Sequence, residues 1–322
     1  MVGKLTPDNI VTASRVPALL GLSPYETQNE LLRKCIAAEN GDPAPRFEQN
    51  EAMAWGDRLE PTILETAAER LGLVDTNLFI EDADWHPYLN FACSLDGIGK
   101  ARLDGATITT DPDNGIYVIG SDEVHAEGWG VLEAKLTSSR PEERPAPHRG
   151  PLQLQGQMMI TGLDWGAVCV LYRGVELRVF VYQRDDELCK RIADAIDEFE
   201  IRKRDGDYYP LVSSDDGNVA YPEVDDGADV VNLNNIDGAA EAAELLVRAR
   251  EDVKAAEEII NEQEAILKEA MGLHEKAEAS VGNRVVEVNW PMRSYKAQPQ
   301  KVTPAKEARV IRLNKLQIKE RD

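Results

Sequence analysis

The chain has 322 residues, 43% of them hydrophobic, enough for one large globular domain with appendages or for two modest domains. It lacks a run of about 18 apolar residues that could cross a membrane, and its opening, MVGKLTPDNIVTAS, lacks the apolar stretch of a secretory signal. The expected location is therefore the cytoplasm. The net charge of −22 works against broad contact with nucleic acid, yet it is unevenly spread. Residues 205–272 hold 4 Lys/Arg against 18 Asp/Glu, whereas residues 273–322 hold 11 against 6.

In chain order, TPDNIVTASRVPALLGLSP predicts a short start, a Thr/Ser turn and an apolar helical stretch ending at Gly21 and Pro24. Residues 27–39 predict a helix, with Leu31, Leu32, Cys35 and Ile36 on one stripe. A second helix runs from about Glu51 to Leu71 and closes at Gly72, with Pro61 kinking it or marking its start. Short apolar runs split by Gly, Asp and Pro then predict strands and hairpins from Asn77 to Leu136. PLQLQGQMMITG predicts a helix, WGAVCVLYR and ELRVFVYQR two strands turning at Gly174, and Asp185 the cap of a helix reaching about Arg204. This order defines a mixed α/β core over residues 1–210.

Residues 211–236 are acidic and aperiodic, the composition of a linker. Over residues 237–272 an apolar heptad appears, with Leu246, Val253, Ile260 and Leu267 in one seam position and Ala249, Ala256, Gln263 and Ala270 in the other. Such a helix needs a partner, in the same chain or another. Residues 273–322 are basic, and VGNRVVEVNWP and ARVIRLNKLQIK predict strands.

Cys35, Cys93, Cys169 and Cys189 are scattered, which argues against a zinc ribbon, a disulfide framework or an iron–sulfur-cluster nuclease. No HExxH, GxxxxGK[ST] or GxGxxG is present, so zinc proteases, P-loop ATPases and Rossmann dehydrogenases are excluded.

The chemistry concentrates in GVLEAKLTSSR. In a strand Val131, Glu133 and Lys135 share one face, opposite Leu132 and Ala134. A neighbouring strand, FACSLDG, ends at Asp96 and would bring a second carboxylate beside Glu133. Two carboxylates together repel unless a cation or proton is shared. Mg²⁺ suits such a site, and the pair with Lys135 suits phosphodiester hydrolysis.

With VTASRVPALLGLSPY, WGDRLEP, CSLDG, LEAK and QLQGQMMITG in this order, the chain resembles the YqaJ-type viral recombinases, the family of the lambda phage exonuclease, over roughly residues 8–205. The resemblance implies a PD-(D/E)xK, restriction-endonuclease-like α+β fold, a mixed central sheet flanked by helices. It implies that Asp96 and Glu133 bind metal, that Lys135 is the catalytic lysine, and that Glu60 of Gly56-x-x-x-Glu60 completes the site or binds a second ion. Gln153 and Gln155 would hold the site or the DNA, although glutamines at 153, 155 and 157 cannot all point one way from a helix. Ser14, Arg15 and Arg140 would contact DNA phosphates; the alternatives are a plain helix cap for Ser14 and ordinary surface charge for Arg15 and Arg140.

By the same resemblance the activity is Mg²⁺-dependent 5′→3′ digestion of linear double-stranded DNA, with Mn²⁺ as a substitute ion. The implied partners are DNA ends, a trimeric ring of copies and a single-strand annealing protein. An endonuclease on the same fold and a catalytically silent DNA-binding scaffold are the alternatives. Two departures stand out. Leu95 replaces the usual proline, and 36 residues separate Asp96 from Glu133, among them Asp104, Asp111, Asp113, Asp122 and Glu123 as substitute ligands.

Overall fold

Helix limits follow local capping chemistry. The structure is a computed structural model and describes residues 6–42, 50–102, 104–222, 230–282 and 284–292. It divides into two units, Met1–Pro222 and Glu223–Asp322.

The first unit begins with β1 (Val11–Thr12), a 3-10 turn (Ala13–Arg15) and the short α1 (Val16–Leu19). A capping box between Thr27 and Glu30 starts α2 (Gln28–Glu39). The Asn50 side chain accepts the Met53 N–H at 3.0 Å to start α3 (Glu51–Leu71), which runs through Pro61 and closes at Gly72 with φ 64°. Eight strands follow: β2 (Asp75–Asn77), β3 (Asp84–Trp85), β4 (Phe91–Cys93), β5 (Gly97–Lys100), β6 (Ala106–Thr109), β7 (Ile116–Val118), β8 (Glu123–Ala126) and β9 (Trp129–Thr137). Then come α4 (Pro151–Thr161), β10 (Trp165–Tyr172), β11 (Glu176–Gln183), α5 (Asp186–Asp205) and α6 (Ser214–Ala220).

Six strands form the main sheet in the order β2-β5-β9-β10-β11-β7. α4 carries the chain between β9 and β10, which therefore run parallel, with Glu133 beside Val168 and Lys135 beside Val170. β10 and β11 pair antiparallel across a turn in which Arg173 and Gly174 both take positive φ. α3 covers one face, where Ile63, Leu64 and Ala67 meet Leu132, Trp165 and Val179. α4 and α5 cover the other, where Leu154, Met158 and Ile196 meet Val131, Val168 and Phe180. The architecture is mixed α+β, a mixed sheet flanked by helices, as the order of apolar runs predicts.

Gly130 is required by this packing. A Cβ there would lie 2.3 Å from the ring of Trp165, which is fully buried. Gly130→Ala should cost about 1–3 kcal/mol by overpacking; an unchanged melting temperature would show that the ring can shift freely.

Three expectations need correction. Asp96 does not end a strand: the strand stops at Cys93, and Asp96 sits in the bend that passes the chain to β5 and a different sheet. The long segment after Asp96 is not a source of substitute ligands. It forms β5, the β6–β8 hairpin and β7, and Asp104, Asp111, Asp113, Asp122 and Glu123 all lie outside the cleft that holds Glu133; Asp111 instead accepts hydrogen bonds from Asn114. Residues 211–220, read as the start of a linker, are folded into the first unit. There the Asp216 carboxylate, almost fully buried, accepts from the Thr27 hydroxyl at 2.5 Å and from the Val212 N–H at 2.9 Å.

In the second unit, α7 (Ala239–Met271) precedes an antiparallel hairpin of β12 (Lys276–Val281) and β13 (Arg284–Asn289). β13 falls within the predicted VGNRVVEVNWP strand, β12 was not predicted, and ARVIRLNKLQIK lies outside the described residues.

Candidate active site

β5 pairs with β9 only as far as Gly97 opposite Leu132. Beyond that point the β9 edge is open, and Asp96 takes the place of the missing strand: its Oδ2 accepts the Ala134 N–H at 2.9 Å. One hydrogen bond thus anchors the Asp96 carboxylate beside Glu133.

Glu133 is 1% exposed, so its charge must be met by partners. One carboxylate oxygen accepts from Lys135 Nζ, and the other accepts from Gln157 Nε2 at 2.7 Å. Lys135 also donates to Gln153 Oε1 at 3.1 Å. Gln153 and Gln157 are one helical turn apart on α4 and so share a face. Gln157 is fully buried, and its Oε1 has no partner among the described residues. This residue was weighed only as one of three glutamines; its spacing of four from Gln153 was the available signal.

Glu60 reaches the same cleft from α3. Gly56, one turn earlier, leaves that wall open, with nothing within 4 Å of where its Cβ would stand. Together Ser14, Glu60, Asp96, Glu133, Lys135 and Gln153 line a cleft of about 490 Å³. A second cavity of about 420 Å³ shares Lys135 and Gln153 and adds Tyr25, His148 and Arg149, which sequence reasoning did not single out.

Of the other predicted residues, Gln155, Arg15 and Arg140 lie outside this cleft. Gln155 projects from a different side of α4, where it donates to the Gln183 carbonyl at 3.0 Å and accepts the Asp185 N–H at 2.8 Å, tying down the start of α5. Arg15 donates to the carbonyls of Asp8 and Ile10 at 2.8 and 2.6 Å, so its guanidinium binds the chain's own backbone. Ser14 caps no helix; it is exposed on the cleft wall, its hydroxyl 3.1 Å from that of Thr12. Arg140 is exposed just beyond β9 and does not line the cleft.

The electrostatics are those of crowded carboxylates. Burial pushes the Asp96 carboxyl well above its ordinary range, and the Glu133 charge adds to the effect. Glu60 is raised for the same two reasons. For Lys135 burial works against the charge, but Glu133 and Asp96 outweigh it and hold the ammonium above its ordinary value. A divalent cation would relieve this repulsion, and the donor set is all hard oxygen, the kind Mg²⁺ takes. Among the described residues no three such side chains close around a single point. Mg²⁺ needs no such cage, since it binds through one or two carboxylates and keeps several waters. The residues fit the ion.

The site thus joins a mixed sheet with helices on both faces, an Asp ahead of one strand and Glu-x-Lys on its antiparallel neighbour. Residues 7–164 match the family model of the YqaJ-like viral recombinase domain. Among solved structures, the alkaline exonuclease LHK-Exo from Laribacter hongkongensis is 21% identical, with a TM-score of 0.43 over 62% of this chain and 89% of that one. A phage-related exonuclease from Haemophilus somnus 129PT is 12% identical, with a TM-score of 0.40 over 61% of this chain and 94% of that one. No curated protein matches the sequence.

Proposed function

We propose that this protein is a Mg²⁺-dependent exodeoxyribonuclease that digests linear double-stranded DNA in the 5′→3′ direction, producing single strands for phage-type recombination. The observation that carries the reading is the convergence of Glu60, Asp96, Glu133, Lys135 and Gln153 on one cleft at an open strand edge. Asp96 and Glu133 are the residues that would hold Mg²⁺, or Mn²⁺ in its place, and Glu60 would complete the site or bind a second ion. The ion supplies positive charge to polarise the phosphate and to make a bound water nucleophilic.

The chain's own groups do the rest. Glu133 and Gln153 fix the Lys135 ammonium from two sides, so that it can orient a water and meet the negative charge that builds on the phosphate. Gln157 holds the second Glu133 oxygen and so sets the angle of that carboxylate. Ser14 and Arg140, both exposed, are the proposed phosphate contacts. In this reading the enzyme works on DNA ends in the host cytoplasm, as a trimeric ring and with a single-strand annealing protein as partner.

The test is digestion of linear duplex DNA, with and without a 5′-phosphate and labelled at either end, beside a closed circle. Loss of the linear DNA alone, from its 5′ ends and abolished by EDTA, is the expected result. A cut circle would make the protein an endonuclease. Binding without cutting would overturn the enzymatic reading in favour of a scaffold.

A further inference from the structure

α7 carries apolar side chains that nothing in the described residues covers. Val253, Ile259, Ile260 and Ile266 are 58%, 60%, 54% and 59% exposed along a helix of 33 residues, about 50 Å long. A stripe of that length marks a surface for a partner. We propose that the partner is a second copy of this chain, and that two α7 helices pair as an antiparallel two-stranded coiled coil.

Side-chain size supports the pairing. With the two helices crossing at Glu258, Leu246 faces Ala270 of the other copy, Val253 faces Gln263, Ile260 faces Ala256 and Leu267 faces Ala249. In three of these four layers a large residue meets an alanine, and two-fold symmetry repeats each layer. A parallel pair would stack like on like, leaving Ala249, Ala256 and Ala270 as thin layers.

Charge selects the same direction. The first half of α7 holds Arg248, Arg250 and Lys254 against Glu241, Glu244, Glu251 and Asp252. The second half holds Glu257, Glu258, Glu262, Glu264 and Glu269 against Lys268 alone. Antiparallel pairing sets the acidic half against the half that holds the basic residues, with Arg250 beside Glu264 of the other copy, twice over. Its one flanking repulsion is Glu257 against its own symmetry mate. A parallel pair would set acidic half on acidic half and place Asp252 beside Glu257, also twice. The g positions agree, since Ile259 meets its mate only in the antiparallel arrangement.

The experiment uses the full chain. Light scattering compares the wild type with Leu246→Glu/Ile260→Glu, and circular dichroism confirms retained helix. The expected result is a fall in mass of about twofold or more. In parallel, Ala249→Cys and Leu267→Cys proteins are mixed and oxidised; the four native cysteines are buried. A disulfide is expected in the mixture and not with Ala249→Cys alone, because antiparallel copies keep those two positions about 27 Å apart. Equal masses, or no disulfide in the mixture, would overturn self-pairing. A disulfide with Ala249→Cys alone would overturn the antiparallel direction.

Discussion

Glu133→Gln protein is expected to digest linear duplex DNA about a thousandfold more slowly than wild type while keeping its fold. The size of the effect follows from how completely Glu133 is used. It is buried, one oxygen holds the Lys135 ammonium and the other takes the Gln157 amide. The amide that replaces it can accept from one neighbour but turns an N–H donor toward the other. A neutral residue also withdraws a negative charge from the proposed ion site. Single-turnover digestion with DNA in excess of Kd separates this loss from weaker binding. A rate within tenfold of wild type would mean that the chemistry happens elsewhere.

Asp96→Asn should move two quantities in opposite directions. Digestion falls about a hundredfold or more, yet the metal-free protein melts higher at neutral pH. Asn keeps an oxygen to accept the Ala134 N–H at the strand edge and removes a charge that burial and Glu133 both penalise. The sign is fixed by linkage. The folded-state carboxyl lies above its ordinary value of 3.8, so its penalty is absent below that value, grows as pH rises and is complete above the folded-state value. The gain in the variant is therefore expected at pH 8 and small at pH 4. About 1 kcal/mol corresponds to about 2–4 °C for a unit of this size.

Mg²⁺ should raise the melting temperature of wild type at pH 8 and raise that of the variant much less. A variant that melts lower than wild type without metal would show that Asp96 is a structural anchor whose charge is already compensated. Equal Mg²⁺ stabilisation of both proteins would remove Asp96 from the proposed ion site.

Much of this protein was legible in its sequence because the deciding forces are local. Gly72 and Asp185 mark helix ends through a backbone conformation or hydrogen bonds that span only a few residues. The shared face of Val131, Glu133 and Lys135 follows from the two-residue repeat of a strand, and the heptad of α7 from the period of a helix. Ordered short motifs pointed to the family.

Tertiary structure decided the rest, wherever two segments distant in sequence compete for one group. Arg15 lies next to a cleft residue, but two backbone carbonyls near the N-terminus claim its guanidinium. Gln155 is a glutamine among site glutamines, but α4 aims it at the strand–helix junction after β11. Residues 211–220 read as linker because their one buried carboxylate, Asp216, finds its partner 189 positions away in Thr27. Asp96 comes to Glu133 not as the end of a strand but as a substitute for one, filling a hydrogen bond that β5 leaves open. Periodicity and capping are written within a few residues of chain; which buried donor meets which acceptor is settled only when the sheet has formed.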